Sequence, residues 1–127
     1  MSEFTASLVP GFPYAPTVPE VGGLDYDIWT LRITLHFEES PPAYLTFKDL
    51  SGFRVLREGD LLEYWSTARP NGWLWEVRSG GWMASEAQRP GFISGNTRGI
   101  REFLVVGQTD CVSVLSSSAP EFSRIEP

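Results

Sequence analysis

Cysteine, histidine and lysine each occur once in this chain, as Cys111, His36 and Lys48. A single cysteine excludes an intrachain disulfide framework and suits a reducing compartment. With one histidine and one thiol, a multi-histidine or thiolate metal site is not expected. No basic start leads into an apolar run, and nowhere do roughly 18 apolar residues stand in a row. The expectation is a cytoplasmic, soluble protein without a membrane partner. The glycine pairs Gly22-Gly23 and Gly80-Gly81 lack the Gly-Lys-Ser/Thr ending of a phosphate loop, so no nucleotide and no other cofactor is expected. Basic charge is also scarce, with 10 basic residues against 16 acidic ones, net charge −6 and a pI near 4.7. That balance opposes attraction to nucleic acid or anionic membranes and favours a basic protein partner. All basic residues but Lys48 are arginine, which reads as coding bias rather than as a site.

What is present suffices for a folded domain. A chain of 127 residues buries roughly two-thirds of its unfolded surface, enough for a core without staples. Its 42% hydrophobic and 13% aromatic content opposes disorder. We expect an extended arm over 1–23, one globular domain over 24–120 and a fraying tail over 121–127.

In chain order, Pro10, Pro13, Pro16 and Pro19 with Gly11, Gly22 and Gly23 oppose regular structure in the arm. Its apolar Phe12, Tyr14, Val18 and Val21 suit packing across the domain, with a Pro-rich ligand for an aromatic groove as the alternative. From Tyr26 to Glu38, Trp29, Leu31, Ile33, Leu35 and Phe37 alternate with Thr30, Arg32, Thr34, His36 and Glu38, the clearest strand of the sequence. A turn at 39–42 leads into a strand over Ala43 to Lys48, and the strand beginning at Phe53 completes a three-stranded meander. A fourth strand begins at Trp73, with Trp73, Trp75 and Val77 sharing a face so that both rings bury together. Met83 to Gln88 suits a helical turn, 89–99 a loop, and Ile100 to Val106 with Cys111 to Leu115 a hairpin.

The stretch Gly52 to Trp65 is the expected hub. It starts as a strand, and after Gly59 the pattern Asp60 with Glu63 resembles a capping box, placing Leu61, Leu62 and Trp65 on one side of a short helix. A second strand through Leu61 to Trp65 remains the rival, since Tyr and Trp also favour strands. The fold class is α+β, mostly β: an antiparallel sheet of about six strands with one or two short helices. The expected core is Trp29, Leu31, Ile33, Leu35, Phe37, Leu45, Phe47, Phe53, Val55, Leu62, Val77, Phe103, Val105, Val112 and Val114.

Catalytic equipment is thin. Cys111 sits among Val112 and Val114 as a small apolar residue, and His36 falls on the polar phase of its strand, so neither reads as half of a nucleophile pair. The acids Asp25 and Asp27, Glu38 and Glu39, and Glu58, Asp60 and Glu63 read as solvated charges rather than a glycosidase pair. Trp65, Trp73, Trp75 and Trp82 crowd together, and such rings either fill a core or anchor an interface.

Gly52 to Trp65, Gly72-Trp73-Leu74-Trp75-Glu76-Val77 with Ser79-Gly80-Gly81-Trp82, and Arg101 to Gly107 with Cys111 to Leu115 together resemble small bacterial proteins of the toxin-immunity type. The resemblance spans 25–120 and implies a protein-binding role, with no functional residue to transfer. The reading is therefore a non-catalytic module that neutralises a basic toxin domain. Glu58, Asp60 and Glu63 would meet the partner's cations, and Tyr64, Trp65 and Trp82 would serve as aromatic anchors. A small-ligand binder or enzyme with a Trp/Tyr-lined pocket, and a self-assembling subunit, are the alternatives.

Overall fold

The computed structural model describes residues 4–14, 17–57, 59, 72–91 and 99–125. Among them the chain forms β1 (Thr5–Leu8), β2 (Glu20–Tyr26), β3 (Thr30–His36), β4 (Ala43–Lys48), β5 (Leu50–Arg57), β6 (Leu74–Ser79), α1 (Trp82–Glu86), β7 (Arg101–Val105), β8 (Asp110–Ser116) and β9 (Glu121–Arg124). Every strand pairing is antiparallel. The strands make two sheets, β1-β6-β7-β8-β5 and β2-β3-β4-β9, and not the single sheet of about six strands that the pattern suggested.

The alternation along β3 explains the sandwich. Leu31, Ile33 and Leu35 are fully buried, whereas Arg32 and His36 face solvent. They join Leu45 and Phe47 of β4 against Phe103, Val105, Val112 and Val114 of the five-stranded sheet, forming one core. The intervening residues of that sheet feed a second cluster, with Leu104, Cys111 and Val77 beside Phe4 and Val106. β7 and β8 are therefore buried on both faces, with Glu102 and Ser113 among their buried residues.

Several expectations change on this frame. The meander stops at β4: Asp49, at φ 54°, turns the chain out of the four-stranded sheet, and β5 pairs with β8 instead. Ser116 Oγ ties this corner by donating to the Lys48 carbonyl at 2.6 Å. The first 23 residues contribute β1 and the start of β2, because their prolines fall between the strands rather than within them. The stretch between packs on the core, where Phe12 meets Trp73 edge-on and the Trp73 indole donates to the Pro13 carbonyl at 3.1 Å. At the other terminus, Glu121–Arg124 pairs with β4, so the expected tail supplies an edge strand.

Trp29 and Val55 are not in the core, being 80% and 45% exposed. Trp29 precedes β3 and belongs to a turn. Val55 lies on β5, an edge strand of the five-stranded sheet. Trp73 and Trp75 do not bury together either: the strand begins at Leu74, so Trp73 joins the inter-sheet core while Trp75 packs on the second cluster. Phe53 is half-buried, and Leu62 lies outside the described residues.

The sheet edges carry features that oppose pairing with another chain. β1, β2 and β5 are each interrupted by a register shift, and β9 has only four residues. Bulged or short edge strands offer a poor template for strand addition.

Candidate protein-interaction face

The turn joining β2 to β3 presents three exposed apolar residues around one acid: Tyr26 at 50%, Ile28 at 73% and Trp29 at 80% exposure, with Asp27 between the first two. Its closure explains why Trp29 leaves the strand. Asp27 Oδ1 accepts from the backbone N–H groups of Trp29 (3.0 Å) and Thr30 (2.8 Å) and from the Thr30 hydroxyl (3.1 Å). The Asp27 N–H donates to the Thr30 carbonyl at 3.2 Å, leaving Ile28 and Trp29 as the two central residues. An aspartate side chain bonding the backbone two residues on is a local alternative to continuing a ladder.

Ile28 has φ 81°. Positive φ at the first central position of a two-residue hairpin is normally left to glycine, and a β-branched residue there is strained. Burial does not offset that strain, since the Ile28 side chain faces solvent. The base of the turn is nonetheless anchored: the Tyr26 ring packs edge-on against Phe53 of β5, with centroids 5.2 Å apart. Val55, two residues along that strand from Phe53, continues the apolar surface.

Acidic charge borders the turn. The Asp27 carboxyl is held below its usual range, first by the Thr30 backbone bond and then by the Thr30 hydroxyl and the Trp29 N–H, so it stays ionised. Asp25 meets Arg32 at 3.3 Å, both well exposed. Together with Tyr26, Thr30 and Thr46 these residues line an open polar cavity of about 430 Å³ beside the turn. The nearby Lys48, at the β4 end opposite Thr30, lies 3.7 Å from Glu121.

Trp82 lies elsewhere, at the start of α1. Its backbone N–H and that of Met83 donate to the two oxygens of Glu102, at 3.0 and 2.8 Å. Glu102 is 2% exposed on β7, and this desolvation pushes its carboxyl up despite the two N–H bonds and the positive charge of Arg54. The Arg54 guanidinium stands over the Trp82 ring at 5.1 Å, and the indole N–H donates to Glu86 at 3.2 Å. A small cavity of about 140 Å³ runs between β6 and α1, bounded by Gly81, Met83, Ala87 and Glu102. The half-buried Trp82 thus holds the five-residue helix against Glu102 of β7 and Arg54 of β5.

Of the anticipated contact residues, only Trp82 lies within the described part of the chain; Glu58, Asp60, Glu63, Tyr64 and Trp65 lie outside it. His36 faces solvent on the four-stranded sheet and Cys111 is buried in the second cluster of the other, so the two do not meet. Among the described residues no three His, Cys, Asp or Glu side chains group to hold a metal ion, and no helix is long and apolar enough to cross a membrane. The turn at Tyr26 to Trp29 was missed by pattern because Trp29 continues the alternation of β3. The signal against that continuation was Asp27, three residues before Thr30. No family model, curated protein or solved structure matches the chain.

Proposed function

We propose that this protein is a non-catalytic protein-binding module of the toxin-immunity type, which neutralises a basic partner. The observation carrying the reading is the exposed, rigidly closed turn Tyr26 to Trp29 on a chain of net charge −6. Exposed tyrosine and tryptophan are the side chains most often found at the energetic centre of interfaces, and they lose little conformational freedom on docking. The acidic field steers a cationic protein to this face, and the aromatic turn then supplies desolvated contact. In this reading Glu58, Asp60 and Glu63 also meet the partner's cations, and Tyr64 and Trp65 serve as further aromatic anchors.

Affinity capture of the tagged chain from its native lysate at low salt, followed by binding measurements on the recovered protein, tests the proposal. A basic protein whose association slows as salt rises is the expected result. Recovery of no basic protein, or an association rate indifferent to salt, contradicts it.

A further inference from the structure

We infer that the cavity between β6 and α1 is a pocket for a lysine side chain of the basic partner, an ammonium group carried on a short unbranched alkyl stem. The source of the amine depends on the protein-binding reading, whereas its fit to the cavity does not. The cavity wall is graded. Val77, Gly81 and Glu102 at the floor are buried, Met83 is half-buried, and Ala84 and Ala87 at the mouth are exposed. A cavity of about 150 Å³ holds a benzene ring, so the 140 Å³ found here takes a short alkyl amine and is too small for a sugar or a nucleotide.

The charge lies at the floor. Glu102 is 2% exposed, and its oxygens accept one backbone N–H each, from Met83 at 2.8 Å and from Trp82 at 3.0 Å. A carboxylate oxygen has two lone pairs, so each oxygen keeps one acceptor site. Gly81 lies directly against them: a Cβ there would come within 2.7 Å of Oε2 and 2.9 Å of Oε1, so no side chain covers the carboxylate from that wall. Burial pushes this carboxyl up, and an ammonium seated against it pairs the charge that the apolar walls penalise. Arg54 of β5 also favours the ionised form but does not line the cavity. Arg78, the cation that does line it, is exposed, lies 3.6 Å from Glu76 and donates to Ser7 Oγ at 3.1 Å. Lysine suits the floor better than arginine does. Its ammonium is a point donor that uses the acceptor sites still open, whereas a guanidinium fork needs both oxygens in one plane, where the N–H groups of Trp82 and Met83 already bond. The methylene stem then lies along Met83, Ala84 and Ala87, as long charged side chains lie on apolar surface.

The test titrates the isotopically labelled full chain with n-butylammonium chloride at constant ionic strength and follows the backbone amide resonances. n-Butanol lacks the charge, methylammonium lacks the stem, and Gly-Lys-Gly with blocked termini presents the same side chain on a peptide. Saturable shifts at Met83, Ala84 and Ala87 are expected, with a Kd for n-butylammonium at least about tenfold below that of either control. The blocked peptide should bind within a few fold of n-butylammonium. Ala84→Leu, which fills the mouth from an exposed position and leaves Glu102 in place, should abolish the shifts, and Glu102→Gln should do the same. No saturable shift, equal binding of n-butanol, or binding indifferent to Ala84→Leu overturns the inference while the protein-binding reading stands. Binding of n-butylammonium without binding of the peptide overturns it too, because the occupant is then a free amine. If the peptide binds but affinity capture returns no basic protein, the protein-binding reading falls, the assigned source falls with it, and the amine chemistry of the pocket stands.

Discussion

Arg101 grips both carboxylate oxygens of Glu76, Nε to Oε2 and Nη2 to Oε1, each at 2.9 Å. The pair bridges neighbouring strands β6 and β7, and Arg78 approaches the same carboxylate at 3.6 Å. Paired planar geometry gives such a contact more strength than a single bond between mobile surface charges.

Glu76→Gln should therefore cost about 1 kcal/mol near neutrality, after discounting for the partly exposed arginine. The arginine's bonds hold the Glu76 carboxyl below its ordinary value of 4.5, so the sign is that of a depressed acid. Its stabilisation is present above that value and disappears as pH falls through the lower folded value. Urea unfolding of wild type and variant should differ near pH 7, and the gap should close as pH falls below 4.5. An equal gap above and below that value would show that the charge is not what the pair contributes.

Glu102 behaves with the opposite sign. Burial raises its carboxyl above the ordinary 4.5, so the folded state holds the proton more tightly than the unfolded chain does. Its contribution is most favourable at acid pH and declines as pH rises through the raised folded value. Glu102→Gln removes that dependence but can bond only one of the Trp82 and Met83 N–H groups with its carbonyl. The variant should lose about 1–3 kcal/mol at low pH, and the loss should shrink as pH rises. Denaturant midpoints across the acid range, followed by tryptophan fluorescence, would measure both.

Gly107 leads into the β7–β8 connection where the arm crosses it. A Cβ there would strike the Asp110 carbonyl, a backbone atom, and would approach Val21 Cγ2 within 2.8 Å. The Gln108 N–H also donates to the Pro19 carbonyl at 2.9 Å, so the backbone has little room to retreat. Gly107→Ala should destabilise by roughly 1–3 kcal/mol through overpacking. Thermal unfolding of this variant beside Gly23→Ala checks that space is the cause. No neighbour stands within 4 Å of a Cβ at Gly23, and its φ lies outside the left-handed region. An equal loss in the two variants would deny the role of crowding.

Period-two alternation made the inter-sheet core legible at Leu31, Ile33, Leu35, Leu45 and Phe47, because each strand has one wet and one dry face. The same cue could not divide the strands between sheets. That division turns on Asp49 adopting φ 54° and on Ser116 reaching the Lys48 carbonyl, which are local conformations and long-range contacts without a periodic signature. β7 and β8, buried on both faces, carried no phase from which a second cluster could be inferred. Trp29 shows the converse failure. Its side chain obeyed the alternation of β3, but the Asp27 bonds close the turn one residue before the strand starts, and the ring is delivered to solvent. The Glu102 cap was equally hidden, since a carboxylate within an apolar strand shows its purpose only when α1 lies against it.

Ile28 separates stability from binding at this turn. Left-handed backbone costs a non-glycine residue about 1–2 kcal/mol, and glycine gives back roughly 0.5–1 kcal/mol of that gain through its freer unfolded chain. The side chain is 73% exposed, so its removal sacrifices little burial. Ile28→Gly should consequently stabilise the fold by about 0.5–1 kcal/mol, a rise of a few degrees in Tm. Trp29→Ala, at a position without strain and equally open to solvent, should stay within about 0.5 kcal/mol of wild type. Scanning calorimetry on the two variants decides the matter before any partner is in hand. A lower Tm for Ile28→Gly would mean that the isoleucine contributes to folding, and its retention would then need no interface. A higher Tm means that the chain keeps a residue its own fold disfavours, which is the expected mark of a side chain held for something outside the molecule.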